Sequence, residues 1–111
     1  MDDKEALDLV GQGKYPEAAA LLESVIQEDP NNLLLYEKLV RCYYEMGMVG
    51  ACEEAIQRSF EINPEADVPS LYEAQLAFDR GKYEIAMEQC FKILENNSKF
   101  TPVVPLLIAS S

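Results

Sequence analysis

Apolar residues recur along this chain at the spacing of an α-helix, in short stretches separated by glycine and proline. In the middle of the chain, Leu35, Leu39, Tyr43 and Met46 fall on one helical face. Gly47 ends this helix, because glycine readily adopts the left-handed conformation of a C-terminal cap. No stretch of useful length alternates apolar and polar residues with a period of two, so the pattern predicts helices and no strands.

The remaining boundaries follow from proline chemistry. Pro16 occupies the first turn of a helix, where its missing N–H costs nothing. Asn63 precedes Pro64 and is therefore pushed out of the helical region, which ends a second helix. Pro69 or Ser70 opens another helix, which ends near Arg80. Besides the helix before Gly47, we predict helices over about 3–10, 16–28, 49–62, 69–80 and 83–96.

A repeat of 34 residues runs through these helices. Gly13, Gly47 and Gly81 follow one another at intervals of 34, and Gly13 and Gly81 each begin the sequence Gly-Lys-Tyr. Small groups at a helix crossing let two axes approach to the short end of the usual ~8–10 Å. Three stacked helix pairs bury an apolar layer that one pair cannot. The predicted crossing residues are Ala6, Val40 and Ala74 with Ala18, Cys52 and Ala86, and the predicted layer is Leu22, Val25, Ile56, Phe60, Cys90, Ile93 and Leu94.

With these motifs the chain resembles the tetratricopeptide repeat family. The resemblance rests on the period, on Gly-Lys-Tyr followed three residues later by alanine, and on the Asp-Pro-Asn-Asn at 29–32 and the Asn-Pro at 63–64. It implies an all-α fold, a right-handed superhelical array of antiparallel helix pairs with a short C-terminal helical segment. We expect a single domain over 1–111. Its repeats cover about 1–32, 33–66 and 67–100, and 101–111 form an incomplete cap or a truncated next helix.

The resemblance also implies a binding function, since the family's first helices line a concave groove that receives a peptide or helix from another protein. From the first repeat, the matching positions are Asp3, Lys4 and Leu7. From the second and third, they are Leu34, Glu37, Lys38, Arg41, Tyr44, Glu45, Val68, Leu71, Tyr72, Gln75, Phe78 and Asp79. One branch of the family clamps a chaperone's C-terminal carboxylate with basic residues. Only Lys38 is basic at a comparable place here, so we expect no carboxylate-clamp chaperone binding.

Two interpretations of Lys38 and Arg41 compete. They share a face of one helix and could hold an acidic group of a partner, with the guanidinium making forked hydrogen bonds. Glu37 and Glu45, each four residues from Arg41, could instead form exposed intrahelical pairs with it.

The aromatic residues also divide between two roles, core packing and partner binding. By phase, Tyr43 and Tyr83 are expected in the core, whereas Tyr44, Tyr72 and Phe78 are expected to face the groove as anchors or as packing.

Charge and composition exclude several functions. The chain has 20 acidic and 9 basic residues and a net charge of −11, which argues against nucleic acid and anionic lipid as partners. It favours a basic or mixed-charge protein segment with apolar anchors. There is no histidine, the three cysteines are not in paired spacing, and no phosphate-binding loop or metal cluster is present. We therefore expect no catalysis, no cofactor and no metal.

The N-terminus is charged where a signal peptide would be apolar, and no apolar run is long enough to span a bilayer. These features, together with the unpaired cysteines, predict a reducing, cytoplasmic location.

The apolar residues after Phe100 leave three alternatives open. They are a truncated seventh helix of a longer parent, a minimal cap folded onto the third repeat, or a surface that pairs with a second copy. We expect Leu106, Leu107 and Ile108 to be substantially buried, either by this chain itself or by a neighbouring molecule. The predicted function is accordingly a scaffold, adaptor or co-chaperone-like assembly factor. The alternatives are an accessory arm of a larger multidomain protein, such as an enzyme, redox or folding factor, and a self-assembling repeat module.

Overall fold

The computed structural model describes residues 2–110 of the chain, and within them it contains helices and no strand. The prediction of an all-α fold is confirmed. The seven α-helices are Asp2–Gly11 (α1), Tyr15–Glu28 (α2), Leu33–Glu45 (α3), Val49–Ile62 (α4), Asp67–Asp79 (α5), Tyr83–Asn96 (α6) and Val104–Ser110 (α7), and a 3-10 turn at Thr101–Val103 precedes α7.

The sequence repeat is also a repeat of backbone structure. Helices α2, α4 and α6 each have 14 residues and begin 34 residues apart. Gly13, Gly47 and Gly81 have φ angles of +75°, +71° and +77°, a region that other residues rarely adopt. After Gly47, the Met48 N–H donates to the Tyr43 carbonyl at 2.9 Å, which closes the end of α3. Equivalent bonds follow Gly13 and Gly81, so each first helix ends by the same device.

The chain divides into two compact units, one ending at Pro64 and the other beginning at Glu65. In the first unit, α2 packs against both α1 and α3, and α3 packs against α4. In the second unit, α5 packs against α6, and α7 packs against both of them.

The predicted helix crossings are confirmed in both units. All six small residues at the crossings have no exposed surface: Ala6, Ala18, Val40, Cys52, Ala74 and Ala86. At the α3–α4 crossing, the Cys52 thiol donates to the Val40 carbonyl oxygen at 3.6 Å, so the backbones lie close together. The bulkier residues of the first unit, Leu22, Val25 and Ile56, fill the layer beside these crossings and are at most 2% exposed.

The C-terminal segment folds onto the helices of the second unit. Val103 and Leu106 are buried in a cluster with Ala74, Cys90 and Ile93. The expectation of burial is therefore confirmed for Leu106, and Leu107 is half-buried. Ile108 is 69% exposed, so this chain itself does not bury it. A short helix that packs on one side buries positions three to four residues apart, and Ile108 lies on the other side.

Two further expectations need correction. Helix α5 begins at Asp67, so Pro69 is its third residue rather than its opening one. The first N–H groups of a helix have no acceptor within it, so proline is tolerated there. Tyr83 is 51% exposed instead of lying in the core. It is the first residue of α6, and its ring packs edge-to-face with the ring of Phe78, with the centroids 5.1 Å apart.

Candidate partner-binding surfaces on the first helices

In the first unit, α3 exposes the residues that the repeat phase places in the groove. Leu34 is 46% exposed and Glu45 is also exposed, while Lys38 and Arg41 are half-buried. Glu37 and Tyr44 are half-buried beside them. The opposite face of α3 is buried and consists of Leu35, Tyr36, Leu39, Val40 and Cys42. The core therefore fixes the rotation of α3 and turns the predicted residues outward.

The two cations on α3 do not pair with the acidic residues of their own helix. Within residues 2–110, neither Lys38 nor Arg41 forms an ion pair, although Glu37 and Glu45 stand at pairing distance in sequence. The positive charges of Arg41 and Lys38 affect the pKa of the neighbouring Cys42 thiol. Burial raises the pKa of Cys42 to about 11, and Arg41 and then Lys38 act in the opposite direction. The centre of the exposed α3 face is thus positive and has donors available.

Helix α1 carries the remaining predicted positions of the first unit. Asp3 and Leu7 are half-buried and Lys4 is exposed. Helix α1 contacts α3 as well as α2, so these residues belong to the same unit as the cations on α3.

The predicted residues of α5, in the second unit, are more involved in packing. Leu71 and Phe78 are half-buried against the cluster that contains Val103 and Leu106. Gln75 donates from Nε2 to Oδ1 of Asp79 at 3.0 Å, an exposed contact one turn along the helix. Val68 and Tyr72 are half-buried. The face that offers apolar anchors on α5 is therefore shared with the α7 contact.

A polar network in the first unit was not foreseen from the sequence. Tyr43 donates its hydroxyl to Oε2 of Glu23 at 2.8 Å, and the Arg58 guanidinium lies 3.1 Å from Oε1 of the same carboxylate. Arg58 also lies over the ring of Tyr36, 5.1 Å from its centroid. The network joins α2, α3 and α4. Its one sequence signal is an arginine beside the apolar stripe of α4.

The pKa values of this network reflect its contacts. Burial, followed by the hydrogen bond to Glu23, raises the pKa of Tyr43 to about 12. Burial alone would lower the pKa of Arg58, but Glu23 and, after it, Tyr36 together outweigh burial and raise that pKa. Glu23 thus holds both partners in their protonated forms.

The buried aromatic of α3 has a polar contact of its own. Tyr36 is 6% exposed, and its hydroxyl donates to the Pro30 carbonyl at 2.8 Å. In the next repeat Ser70 takes the equivalent position and donates to the Ala66 carbonyl at 2.7 Å. In the second repeat, the Tyr36 hydrogen bond therefore ties the first helix to the preceding turn. In the third repeat, the Ser70 hydrogen bond stays local, at the start of α5.

The cysteines and acidic residues form no reactive or metal-binding arrangement in the described chain. Cys42, Cys52 and Cys90 are buried and free, and burial raises the pKa of each, to about 11 for Cys42 and Cys52. Residues 2–110 contain no group of three or more cysteine, aspartate or glutamate side chains placed to hold a metal ion. Within the same residues, no helix is both long enough and apolar enough to cross a membrane.

A family model of the tetratricopeptide repeat matches residues 9–73 of the chain. The chain belongs to the tetratricopeptide repeat family. Among curated proteins it is similar to intraflagellar transport protein 70A2 of Rattus norvegicus, at 28% identity over 101 residues. It is also similar to intraflagellar transport protein 70B of Homo sapiens, at 27% identity over 101 residues. Each alignment covers 91% of this chain, and the chain spans about 15% of the length of these relatives.

Solved tetratricopeptide repeat structures have the same fold. The first such domain of Spaghetti (RPAP3), bound to the HSP90 peptide SRMEEVD, superposes with a TM-score of 0.84 at 19% identity, over 96% of this chain and 87% of that one. The Yersinia enterocolitica type III secretion chaperone SycD, in complex with a peptide of the translocator YopD, superposes with a TM-score of 0.82 at 17% identity, over 96% and 87%.

Proposed function

We propose that this chain is a non-catalytic protein-interaction module that binds a peptide or helical segment of another protein on the exposed faces of its first helices. The observation that carries the proposal is the exposed face of α3, where Lys38 and Arg41 stand half-buried and unpaired in residues 2–110 of an acidic chain. A hydrogen bond from a half-buried cation to an acidic group of a partner is charge-assisted and therefore stabilises the complex. The tetratricopeptide repeat domain of Spaghetti and the chaperone SycD both hold peptides, which supports a binding role for this chain.

The groove residues of the proposal are those predicted from the repeat phase. In the first unit, the unpaired cations and the exposed Leu34 support it most directly. In the second unit, the predicted residues of α5 that lie outside the cluster with α7 are Val68, Tyr72, Gln75 and Asp79. We further propose scaffold or adaptor work in a reducing compartment such as the cytoplasm, where the three buried thiols stay free.

The test is an affinity capture with matched charge-reversal variants. A double variant, Lys38→Glu with Arg41→Glu, is compared with a control that carries the same charge change at the exposed Lys14 and Lys92. Tyr72→Ala tests the second unit separately. We expect the wild type and the control to retain the same partner and the α3 variant to lose it. Equal retention by all variants that keep the wild-type circular dichroism would disprove binding at these surfaces.

Self-association is a second candidate, favoured by the outer face of α7. Val104 is 41% exposed and Ile108 is 69% exposed, and no charged residue lies between Phe100 and Ser110. Solution mass measured across concentration, with Ile108→Asp as the matched variant, tests it. A mass that stays monomeric in the wild type at high concentration would rule out this candidate.

An accessory arm within a larger protein is the remaining alternative. The observation in its favour is the length of the curated relatives, of which this chain spans about 15%. Comparison of this chain with the full-length gene product decides between a free module and such an arm.

A further inference from the structure

The exposed face of α3 carries four side chains in a single stripe, in a fixed chemical order. Leu34, Lys38, Arg41 and Glu45 are separated by four, three and four residues. At 3.6 residues per turn they fall within an arc of about 60°. The stripe runs from an apolar group through two cations to an acid, and we refer to these four residues as the α3 stripe. Its members are exposed or half-buried, while the opposite face of α3 is in the core.

Distances along the stripe follow from the rise of the helix. From Leu34, Lys38 lies about 6 Å along the axis, Arg41 about 10 Å and Glu45 about 16 Å. A complementary partner must therefore present an apolar group, then an acidic group about 6–10 Å farther on, then a basic group at about 16 Å. The order matters as well as the composition, because exchanging acid and base would place like charges together.

The spacing favours a helical partner over an extended one. In an extended chain successive side chains point to opposite sides, and each residue advances about 3.3 Å. A residue about 16 Å from the first would then be the fifth along, which points away from the surface that the first one contacts. A second helix has the same rise and the same face periodicity as α3, so positions four, seven and eleven residues apart stay on one face.

We propose that the α3 stripe binds an amphipathic helix of a partner protein that carries an apolar residue, acidic residues four and seven positions away from it, and a basic residue eleven positions away. This inference rests on the proposed function and adds the partner's conformation and its charge order. The charge argument is particular to this chain. Lys38 and Arg41 are half-buried on one face of α3 and form no ion pair in residues 2–110, so an acidic group of a partner would complement them.

The experiment uses the full chain and two designed helical peptides of identical composition. The first peptide has leucine at a chosen position, glutamate four and seven residues later and lysine eleven residues later. The control peptide moves the two glutamates to the opposite face, at two and nine residues after the leucine. Binding is followed by fluorescence anisotropy of the labelled peptides. We expect the first peptide to bind about tenfold more tightly than the control.

A charge exchange makes the test specific to the stripe. Arg41→Glu should weaken binding of the first peptide about tenfold, and a peptide with lysine in place of its second glutamate should restore binding to that variant. Lys14→Glu, the same charge change at an exposed residue outside the stripe, should leave the affinity unchanged. Restored binding in the exchanged pair supports the inference, since a merely structural effect of the substitution would not be reversed by the peptide.

The outcomes separate this inference from the proposed function. Suppose that the Lys38→Glu, Arg41→Glu variant loses a captured cellular partner but the two peptides bind the wild type equally. The proposed protein-binding function then holds, and the inferred charge order of the partner helix is wrong. If the peptides differ as expected and Arg41→Glu has no effect on either, the site lies elsewhere and the inference is also wrong. If neither the peptides nor a cellular partner depend on α3, both proposals fail together.

Discussion

The hydrogen bond from Tyr43 to Glu23 should stabilise the first unit measurably. Tyr43→Phe removes the phenolic hydroxyl and keeps the ring, and Glu23 retains its ion pair with Arg58 at 3.1 Å. A hydrogen bond to a charged acceptor contributes about 1.5–3 kcal/mol. Because the Glu23 side chain is 36% exposed, solvent screening reduces this, and we expect a loss of about 1 kcal/mol.

Urea denaturation followed by circular dichroism measures this free energy, provided that the slope of the transition is unchanged between variants. Tyr83→Phe is the matched control, since that tyrosine is 51% exposed and its described contact is made by the ring. A double-mutant cycle with Glu23→Ala, which removes the acceptor, isolates the pair, and its coupling energy should be about 1 kcal/mol.

Two results would contradict the reasoning. The first is a loss for Tyr43→Phe no larger than that for Tyr83→Phe. The second is a coupling energy to Glu23 below about 0.3 kcal/mol, which is within the error of additivity for independent sites. Either would mean that the hydroxyl is as well solvated in the unfolded chain as it is bonded in the folded one.

Three further predictions concern stability and reactivity. Gly50→Ala should stabilise the chain by up to about 1 kcal/mol, because Gly50 is exposed in α4 with open space at the Cβ position. Gly47→Ala should destabilise the chain by about 1 kcal/mol, because Gly47 has a φ of +71°. Thermal melts of both variants check this. Burial raises the pKa of Glu73, so the stability that depends on this group is fully present below its unfolded pKa and is lost as pH rises through its folded pKa. Glu73→Gln should therefore stabilise the protein at neutral pH and flatten the pH dependence of its denaturation curves. An unchanged pH profile would contradict this. Burial raises the pKa of Cys42 and Cys52 to about 11, so both thiols should react with a disulfide reagent at neutral pH only after unfolding, and rapid reaction of the native protein would show that they are accessible.

Features that depend on local backbone chemistry were predictable from the sequence. The turns at Gly13, Gly47 and Gly81 recur because each needs a positive φ that glycine adopts without strain. Helix α4 was predicted over its observed range, Val49–Ile62, because proline and glycine mark both of its ends. The start of α5 was placed two residues late because proline is tolerated at several positions of the first turn.

The repeat by itself determined the helices, their pairing and the small residues at their crossings, because a period of 34 residues brings back the turn glycine and the small crossing residues three times. Only the tertiary structure decided which polar groups meet. Glu23, Tyr43 and Arg58 lie on three different helices, and no local pattern connects them. It also decided that Arg41 forms no ion pair within residues 2–110 and that Ile108 is 69% exposed. Side-chain contacts of this kind are worth about 1 kcal/mol each. They depend on how the packed helices are rotated, whereas the backbone turns depend only on the residues within them.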